Sequence, residues 1–261
     1  MRYVRLFGTQ LRRSLALALQ YRLDFVTSGL VSIVWSVISI VPLYVAFHGR
    51  PAVGGWSYES ALVVFGWFTL LKGVLEGAVN PSLVQVVDHI RMGTLDFVLL
   101  KPADAQFLVS TARFEPWKIV DLGVAIAIFG YAFARLGHPP SAAAVALAFA
   151  MLCAAVAVLY SVWILVVAAA FWVVRVDNLV YLFDSVFDFA RWPSSVFKGA
   201  FSILFTFVIP LALMTTFPAQ ALLGTLAPGT AIAAVVASLL AAIGARRVWL
   251  RALAHYTSAS S

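Results

Sequence analysis

Long apolar runs alternate with short polar segments along most of this chain. Six of the runs are long enough to cross a bilayer as helices, since one crossing needs about 20 apolar residues. They cover residues 25–47, 59–79, 118–136, 142–173, 197–217 and 229–249. The fourth run is longer than one crossing requires, because a helix rises about 1.5 Å per residue through a core of about 30 Å. The pattern predicts an all-α membrane protein with six transmembrane helices.

The first 22 residues follow a different pattern. Val4, Leu11 and Leu15 fall on one side of a helix, whereas Arg5 and Arg12 fall on another. Such an amphipathic helix lies in the headgroup layer, with its basic residues toward anionic lipid. An ordinary basic segment before the first span explains the pattern equally well. The predicted organisation is an interfacial helix at 1–22, a membrane domain at 23–255 and a short tail at 256–261.

Basic residues set the predicted orientation, because Lys and Arg concentrate on the cytoplasmic side of a membrane. They cluster before the first span, between the second and third, between the fourth and fifth, and after the sixth, whereas the other loops hold only Arg50 and Arg135. The clusters are Arg2, Arg5, Arg12, Arg13 and Arg22; Arg91, Lys101, Arg113 and Lys118; Arg175, Arg191 and Lys198; and Arg246, Arg247 and Arg251. Both termini are therefore predicted to be cytoplasmic.

Composition agrees with this picture. The chain is 63% hydrophobic and 11% charged, with a mean hydropathy of +0.98, whereas soluble domains are about 25% charged. The net charge of +7 follows from the cytoplasmic basic clusters and does not indicate a nucleic-acid surface. The single cysteine, Cys153, excludes an intrachain disulfide.

One segment, 86–107, is too polar to cross a bilayer and too apolar for a simple linker. Its apolar residues Val86, Val87, Ile90 and Met92 predict a short helix on the inner membrane surface, stopped at Gly93. Two interpretations remain open from composition alone. The segment is either a docking element for a partner or an interfacial helix with no partner.

Two charged residues, Lys72 and Glu76, lie within the second predicted span on one helix face. Charges at this depth are costly, and they pair with one another or face a cavity. The pair either lines a substrate path or is a mutually neutralising pair near the inner boundary. Gly73 and Gly77 form a GxxxG helix-packing surface at nearly the same level.

Two later features are also distinctive. Asp177, Asp184 and Asp188 form a polar stripe, which could hold Mg²⁺ for pyrophosphate chemistry; a surface-lying amphipathic helix over 178–190 explains it better. Pro210 is predicted to kink the fifth span. The sequence contains no phosphate-binding loop, catalytic triad motif or metal-ligand spacing, so catalytic and metal residues are not predicted, and any ATP hydrolysis must come from another polypeptide.

Several stretches together resemble ABC-2-type transporter permeases, in particular a bacterial six-helix exporter subfamily that includes viologen-exporter-type permeases. The similarity runs through the whole chain. It is carried by "QYRLDF", "GWSYESALVVFGWFTLLKGVLEGAV", "IRMGTLDFVLLKP", "WPSSVF", "VIPLA" and "FPAQALLG".

The resemblance implies an ABC-2-type exporter fold in a bacterial inner membrane. Two permease chains, identical or paralogous, would pair with a dimer of ATPase subunits that binds ATP and Mg²⁺, while this chain binds no cofactor. The loop at about 81–117 would dock on the ATPase. The residues that the resemblance assigns to this coupling are Ile90, Arg91, Gly93, Leu95, Asp96, Leu100 and Pro102.

The implied function is export of a lipophilic or amphipathic substrate, and a cationic one fits the viologen comparison and multidrug efflux. Two alternatives remain. An ion-coupled secondary transporter would use Lys72 and Glu76 as a relay, although the chain lacks the internal repeats common in that class. A membrane-embedded, Mg²⁺-dependent transferase would use the aspartate stripe.

Overall fold

The computed structural model describes residues 2–172, 177–205 and 210–256, without the side chains of 177–180, 182 and 203. Nearly all of this part of the chain is helical. The longer helices are α1 (Arg2–Gln20), α2 (Arg22–Phe47), α3 (Tyr58–Val74), α4 (Asn80–Arg91), α7 (Ile119–Leu136), α8 (Ala142–Ala169), α9 (Asp177–Phe187) and α12 (Pro228–Ala254). The short ones are α5 (Asp96–Leu99), α6 (Ala105–Ser110), α10 (Ala200–Ile203) and α11 (Phe217–Leu222).

Five helical segments of the described chain are long and apolar enough to cross a membrane. They are Arg22–Phe47, Tyr58–Arg91, Pro116–Leu136, Ala142–Ala169 and Pro228–Ala254. An all-α membrane protein is confirmed, and five of the six predicted spans coincide with these helices. Side-chain caps fix two of the helix starts, because Ser57 and Ser141 accept hydrogen bonds from the N–H groups of Ser60 and Ala144.

The second of these segments continues beyond the predicted span. A π-helical turn, Leu75–Val79, joins α3 to α4 without a break. The helix ends just before Gly93, whose φ of +66° stops it as predicted. However, the helix does not start near Val86; it continues from α3 through Asn80, and Val86 and Val87 are buried. The predicted helix that stops at Gly93 is therefore confirmed, but it continues the second span and is not separate from it.

The loops of the described chain gather at two ends of the molecule. Helix α3 runs antiparallel to α7, because Gly66 lies beside Phe129 and Gly73 lies beside Asp121. The loop after α7, residues 137–141, is therefore at the same end of the molecule as the loop before α3, residues 48–57. This is called the Trp56 end. Loop residues 92–117 lie at the opposite end, called the Pro102 end. The C-terminal part of α12 joins them there, because Arg246 pairs with Asp104.

The predicted fifth span, 197–217, differs from the structure. Ser195 donates a hydrogen bond to the Gly54 carbonyl (2.7 Å) and accepts one from Trp56 (3.1 Å), so it lies at the Trp56 end. Thr216 accepts from the Ser194 N–H (3.1 Å). The beginning and end of 197–217 therefore lie close together, which a single membrane-spanning helix would not allow. Residues 206–209 of this run lie outside the described residues.

The residues before Ser195 run along the whole of α3. Asp184 hydrogen-bonds Asn80 at the start of α4, Asp188 contacts Lys72 near the end of α3, and Ser195 contacts Gly54, just before α3 begins. A helix in the predicted region 178–190 is confirmed by α9, but Phe187 is buried against Phe68 and Asp188 pairs with Lys72, so the segment packs beside α3. The charged residues of this segment lower its hydropathy, so the sequence did not predict that it packs along α3. Arg191 and Lys198 therefore do not belong with the basic loops of the Pro102 end, and Arg175 lies outside the described residues.

Helix α1 packs on the loop at the Pro102 end. Tyr3 meets Phe107 edge to face (4.9 Å between centroids), and Phe7 meets Phe114 (5.4 Å). The hydroxyl of Ser14 accepts from the Phe114 N–H. The predicted apolar side faces away from the protein, since Val4 is 76% exposed. An exposed apolar side on a basic helix is what an interfacial helix needs.

Candidate functional site

Six charged side chains form one chain of ion pairs between α3, α7 and the turn after α9. This charge network consists of Lys72, Glu76, Lys118, Asp121, Asp188 and Arg191. Three residues are basic and three acidic, so their formal charges cancel. Asp188 lies at one end, 3.0 Å from Lys72 and 3.1 Å from Arg191. Lys72 in turn lies 3.8 Å from Glu76.

The other end of the charge network is more deeply buried. Lys118 contacts Glu76 and lies 3.1 Å from Asp121. The side chains of Lys118 and Asp121 are only 9% and 5% exposed. Asp121 also accepts a hydrogen bond from Ser32 of α2. Because buried charges are costly unless paired and hydrogen-bonded, this arrangement satisfies both groups and joins three spans.

Gly73 and Gly77 allow this close approach. A Cβ atom on Gly73 would lie 2.9 Å from Cβ of Asp121, and one on Gly77 would lie 2.9 Å from Cβ of Lys118. The Gly77 carbonyl accepts a hydrogen bond from the Glu115 N–H (2.8 Å). Gly77 belongs to the π-helical turn Leu75–Val79, and such turns are frequent at functional sites. The GxxxG surface thus packs within the chain, against α7.

We predict that Gly73→Ala destabilises the protein, whereas Gly123→Ala does not. Both substitutions gain the helix propensity of alanine, about 1 kcal/mol, but a Cβ on Gly123 meets nothing within 4 Å. Overpacking of this kind costs about 1–3 kcal/mol. Thermal unfolding of the two variants in the same detergent measures the difference. Equal melting temperatures would show that the α3–α7 contact tolerates an added methyl group.

A groove of about 430 Å³ opens beside the charge network, between α2, α3 and α7. Its volume lies within the range of about 300–1,000 Å³ that is typical of ligand sites. Ser28, Ser32 and Ser36 are spaced by four residues on one face of α2 and form a hydroxyl wall. The aromatic lining is Trp35, Phe65, Phe68 and Trp117, and Lys72, Glu76, Lys118 and Asp121 supply the charges.

The sequence predicted Lys72 and Glu76 for this region but missed the other four charges of the network. Lys118 was interpreted only as a loop residue, and Asp121 begins an apolar run without any local signal. Asp188 and Arg191 come together with Lys72 only because the segment after α9 runs beside α3. Of the other predicted sites, Pro210 lies two residues before the π-helical turn Ala212–Thr216, and its carbonyl accepts a hydrogen bond from the Leu213 N–H. The side chain of Asp177 lies outside the described residues.

The predicted coupling residues divide into buried and exposed groups. Leu95 is fully buried and anchors the loop, and Ile90 packs against the core. Arg91, Leu100 and Pro102 are exposed, whereas Gly93 and Asp96 are half-buried. Beside them the structure exposes Phe97 and Leu99, which the sequence did not single out. The apolar tip, as we call it, comprises Met92, Phe97, Leu99 and Leu100.

Ion pairing and hydrogen bonds hold the loop after the apolar tip against α12. Arg246 of α12 pairs with Asp104 and donates a hydrogen bond to Gln106 (2.7 Å). Asp104 also caps α6 by accepting from the Phe107 N–H (2.9 Å). Partial burial alone would raise the pKa of Asp104, but the hydrogen bonds from Arg246 and Phe107 outweigh it and hold the pKa below its usual value.

We expect Asp104→Ala to lower the free energy of unfolding by about 1–2 kcal/mol, since it removes a helix cap and a partly exposed ion pair. Asp104→Asn retains the cap and should cost about half as much. Because the folded pKa of Asp104 is depressed, its contribution is present at neutral pH and is lost as the pH falls below about 4. Melting temperatures of the wild type and both variants between pH 7 and 3 measure this. A difference that grows toward low pH would contradict the assignment.

Several long apolar helices, joined to one another by a charge network, define a multi-pass membrane protein. Residues 33–260 match the family model described as ABC-2 family transporter protein. The chain belongs to this family, which indicates a membrane subunit of a transporter and not itself a catalyst. No curated protein and no solved structure gave a match.

Proposed function

We propose that this chain is the transmembrane subunit of an ATP-driven exporter in a bacterial inner membrane. Two such chains, identical or paralogous, associate with a dimer of ATPase subunits that binds ATP and Mg²⁺. The Pro102 end faces the cytoplasm. The exported molecule moves from the cytoplasm or inner leaflet along the groove between α2, α3 and α7.

One observation carries the proposal, namely the apolar tip at the Pro102 end. Phe97 is 70% and Leu100 79% exposed, on a loop that lies outside the apolar spans. Large apolar side chains clustered on a membrane-protein loop suit a protein partner better than water. Leu95 and the Asp104–Arg246 pair hold the loop in place, so the partner meets a preformed surface.

The same contacts supply a route from the ATPase to the groove. The α4 helix connects the loop to Glu76 and Lys72 through the π-helical turn, and Asp104 connects it to α12. Movement of the apolar tip therefore acts on two spans at once. ATP can shift the transporter between two states only if the ATPase binds this loop differently in each state.

We further propose six crossings, with 177–197 as the fifth. Placing 177–197 across the membrane puts Ser195 outside, whereas the span at 197–217 would place it inside. In a Cys153→Ser background, we expect Ser195→Cys to react with a membrane-impermeant maleimide added to intact cells. Met92→Cys, at the Pro102 end, should react only after the membrane is permeabilised. Labelling of both positions from one side would contradict this topology.

The groove suggests the class of substrate. Its charges cancel within the network, while serine hydroxyls and aromatic rings remain along its walls. Such a surface suits an amphipathic or lipophilic molecule, and the aromatic rings would accept a cation. A lipophilic cation is therefore our first test substrate.

Transport in inverted membrane vesicles tests the function and separates it from ion coupling. With the ATPase subunit co-expressed, ATP should drive uptake of a lipophilic cation, and a protonophore should not abolish it. Uptake that follows the proton gradient and ignores ATP would favour the secondary transporter. The transferase alternative has less support, because Asp188 is already paired with two bases, and the described residues contain no cluster of three metal-binding side chains.

A further inference from the structure

A second cavity, of about 670 Å³, lies at the Pro102 end. It is enclosed by α1, the first turns of α2, α4 and residues 108–117. Its volume is also typical of ligand sites. The transport route proposed above gives this cavity no role, although Ser28 and Trp117 line both the cavity and the groove.

The polar part of the cavity is basic. Arg13, Lys101 and Arg113 line it, together with the carboxylates of Asp24 and Glu115, which leaves one excess positive charge. Glu115 pairs with Arg113 (2.7 Å). Within the part of the chain that the structure describes, no carboxylate lies within ion-pair distance of Arg13 or Lys101. Two exposed cations are therefore available to an anionic ligand.

The remaining lining is apolar and adjoins the membrane. Leu17 and Phe25 flank the junction of α1 with the first span, and Val86, Leu108 and Trp117 complete the wall. Tyr21 lies at the same junction, and Trp and Tyr are enriched at the level of the headgroups. A ligand of this cavity would thus contact basic groups and apolar chains at the membrane surface.

We propose that the cavity binds an anionic phospholipid of the leaflet at the Pro102 end. Arg13 and Lys101 hold its phosphate, since both residue types bind phosphate by charge-assisted hydrogen bonds, and Leu17 and Phe25 contact its acyl chains. Val98 and Lys101 belong to the loop that carries the apolar tip. The bound lipid consequently joins α1 to that loop and stabilises it.

Native mass spectrometry of the purified chain tests the proposal without any ATPase. The wild type is mixed with equal amounts of phosphatidylglycerol and phosphatidylcholine, and the retained lipid is counted. The cavity variant is Arg13→Gln/Lys101→Gln. The control is Arg5→Gln/Arg12→Gln, which removes the same charge from exposed positions on α1 that do not line the cavity.

We expect the wild type and the control to prefer phosphatidylglycerol, and the cavity variant to lose about fivefold in preference for each cation removed. An equal loss of preference in the control would overturn the proposal, because phosphatidylglycerol would then be attracted by the basic residues of α1 in general and not by the cavity. Absence of any preference in the wild type would also overturn it. Competition by millimolar inorganic phosphate would assign the site to a soluble phosphate compound and not to a lipid. None of these outcomes bears on ATP-driven transport.

Discussion

Lys118→Met is expected to lower the free energy of unfolding by about 3–5 kcal/mol, as is typical when one partner of a buried ion pair is removed. Methionine matches the length and apolar stem of lysine, so the loss is mainly electrostatic. The carboxylate of Asp121, 5% exposed, would lose its only ion-pair partner in the described chain, and Glu76 would keep only Lys72 at 3.8 Å. Thermal unfolding in detergent, followed by size-exclusion fluorescence, measures the effect.

A second variant isolates the electrostatic cause. Lys118→Met/Asp121→Asn removes the uncompensated charge and should recover much of the lost stability, because an amide can still accept the hydrogen bond from Ser32. If the double variant is as unstable as the single one, the loss comes from packing against Gly77 and Trp117. If Lys118→Met is as stable as the wild type, the charge network does not hold the spans together.

Phe97→Asp/Leu100→Asp should abolish ATP-driven transport while leaving the folded chain intact. Apolar anchors at the centre of an interface each contribute about 2 kcal/mol or more to binding, and a carboxylate in an apolar groove adds a desolvation penalty. Both side chains are exposed, so the melting temperature should not change. ATP-dependent uptake in inverted vesicles, measured alongside membrane abundance, checks the result.

Two controls separate docking from folding in that experiment. Phe97→Leu/Leu100→Met keeps the apolar surface and should transport almost normally. Leu95→Asp introduces a charge at a fully buried position and should lower the melting temperature. Transport that survives in the double aspartate variant would place the ATPase contact elsewhere on the chain.

The sequence predicted the fold well wherever the spans are apolar. Five of the predicted spans coincide with helices of the structure, because runs such as the one in α8 are apolar on all sides. The segment after α9 was mispredicted for the opposite reason. Its charges, Asp184, Asp188 and Arg191, make it hydrophilic by composition, yet Asp188 is paired with Arg191 and with Lys72, 116 residues earlier, and Asp184 hydrogen-bonds Asn80. Hydropathy along the sequence cannot register such pairing.

The candidate site was predictable only in part for the same reason. Lys72 and Glu76 are visible as neighbours four residues apart on one helix, whereas Lys118 and Asp121 join them through the α3–α7 packing. The loop motif identified the region of the apolar tip, but Leu95 and Leu100 are alike in sequence and differ in burial. Only the tertiary structure shows that one anchors the loop and the other is exposed.

The most direct test of the central claim is affinity purification of the tagged chain from its native membrane in mild detergent, with co-purifying subunits identified by mass spectrometry. The wild type should bring down an ATPase subunit containing a phosphate-binding loop, in roughly equal amount, and Phe97→Asp/Leu100→Asp should lose it. A wild-type chain that purifies without an ATPase, even after mild crosslinking, would contradict the claim. So would an ATPase that both forms retain equally.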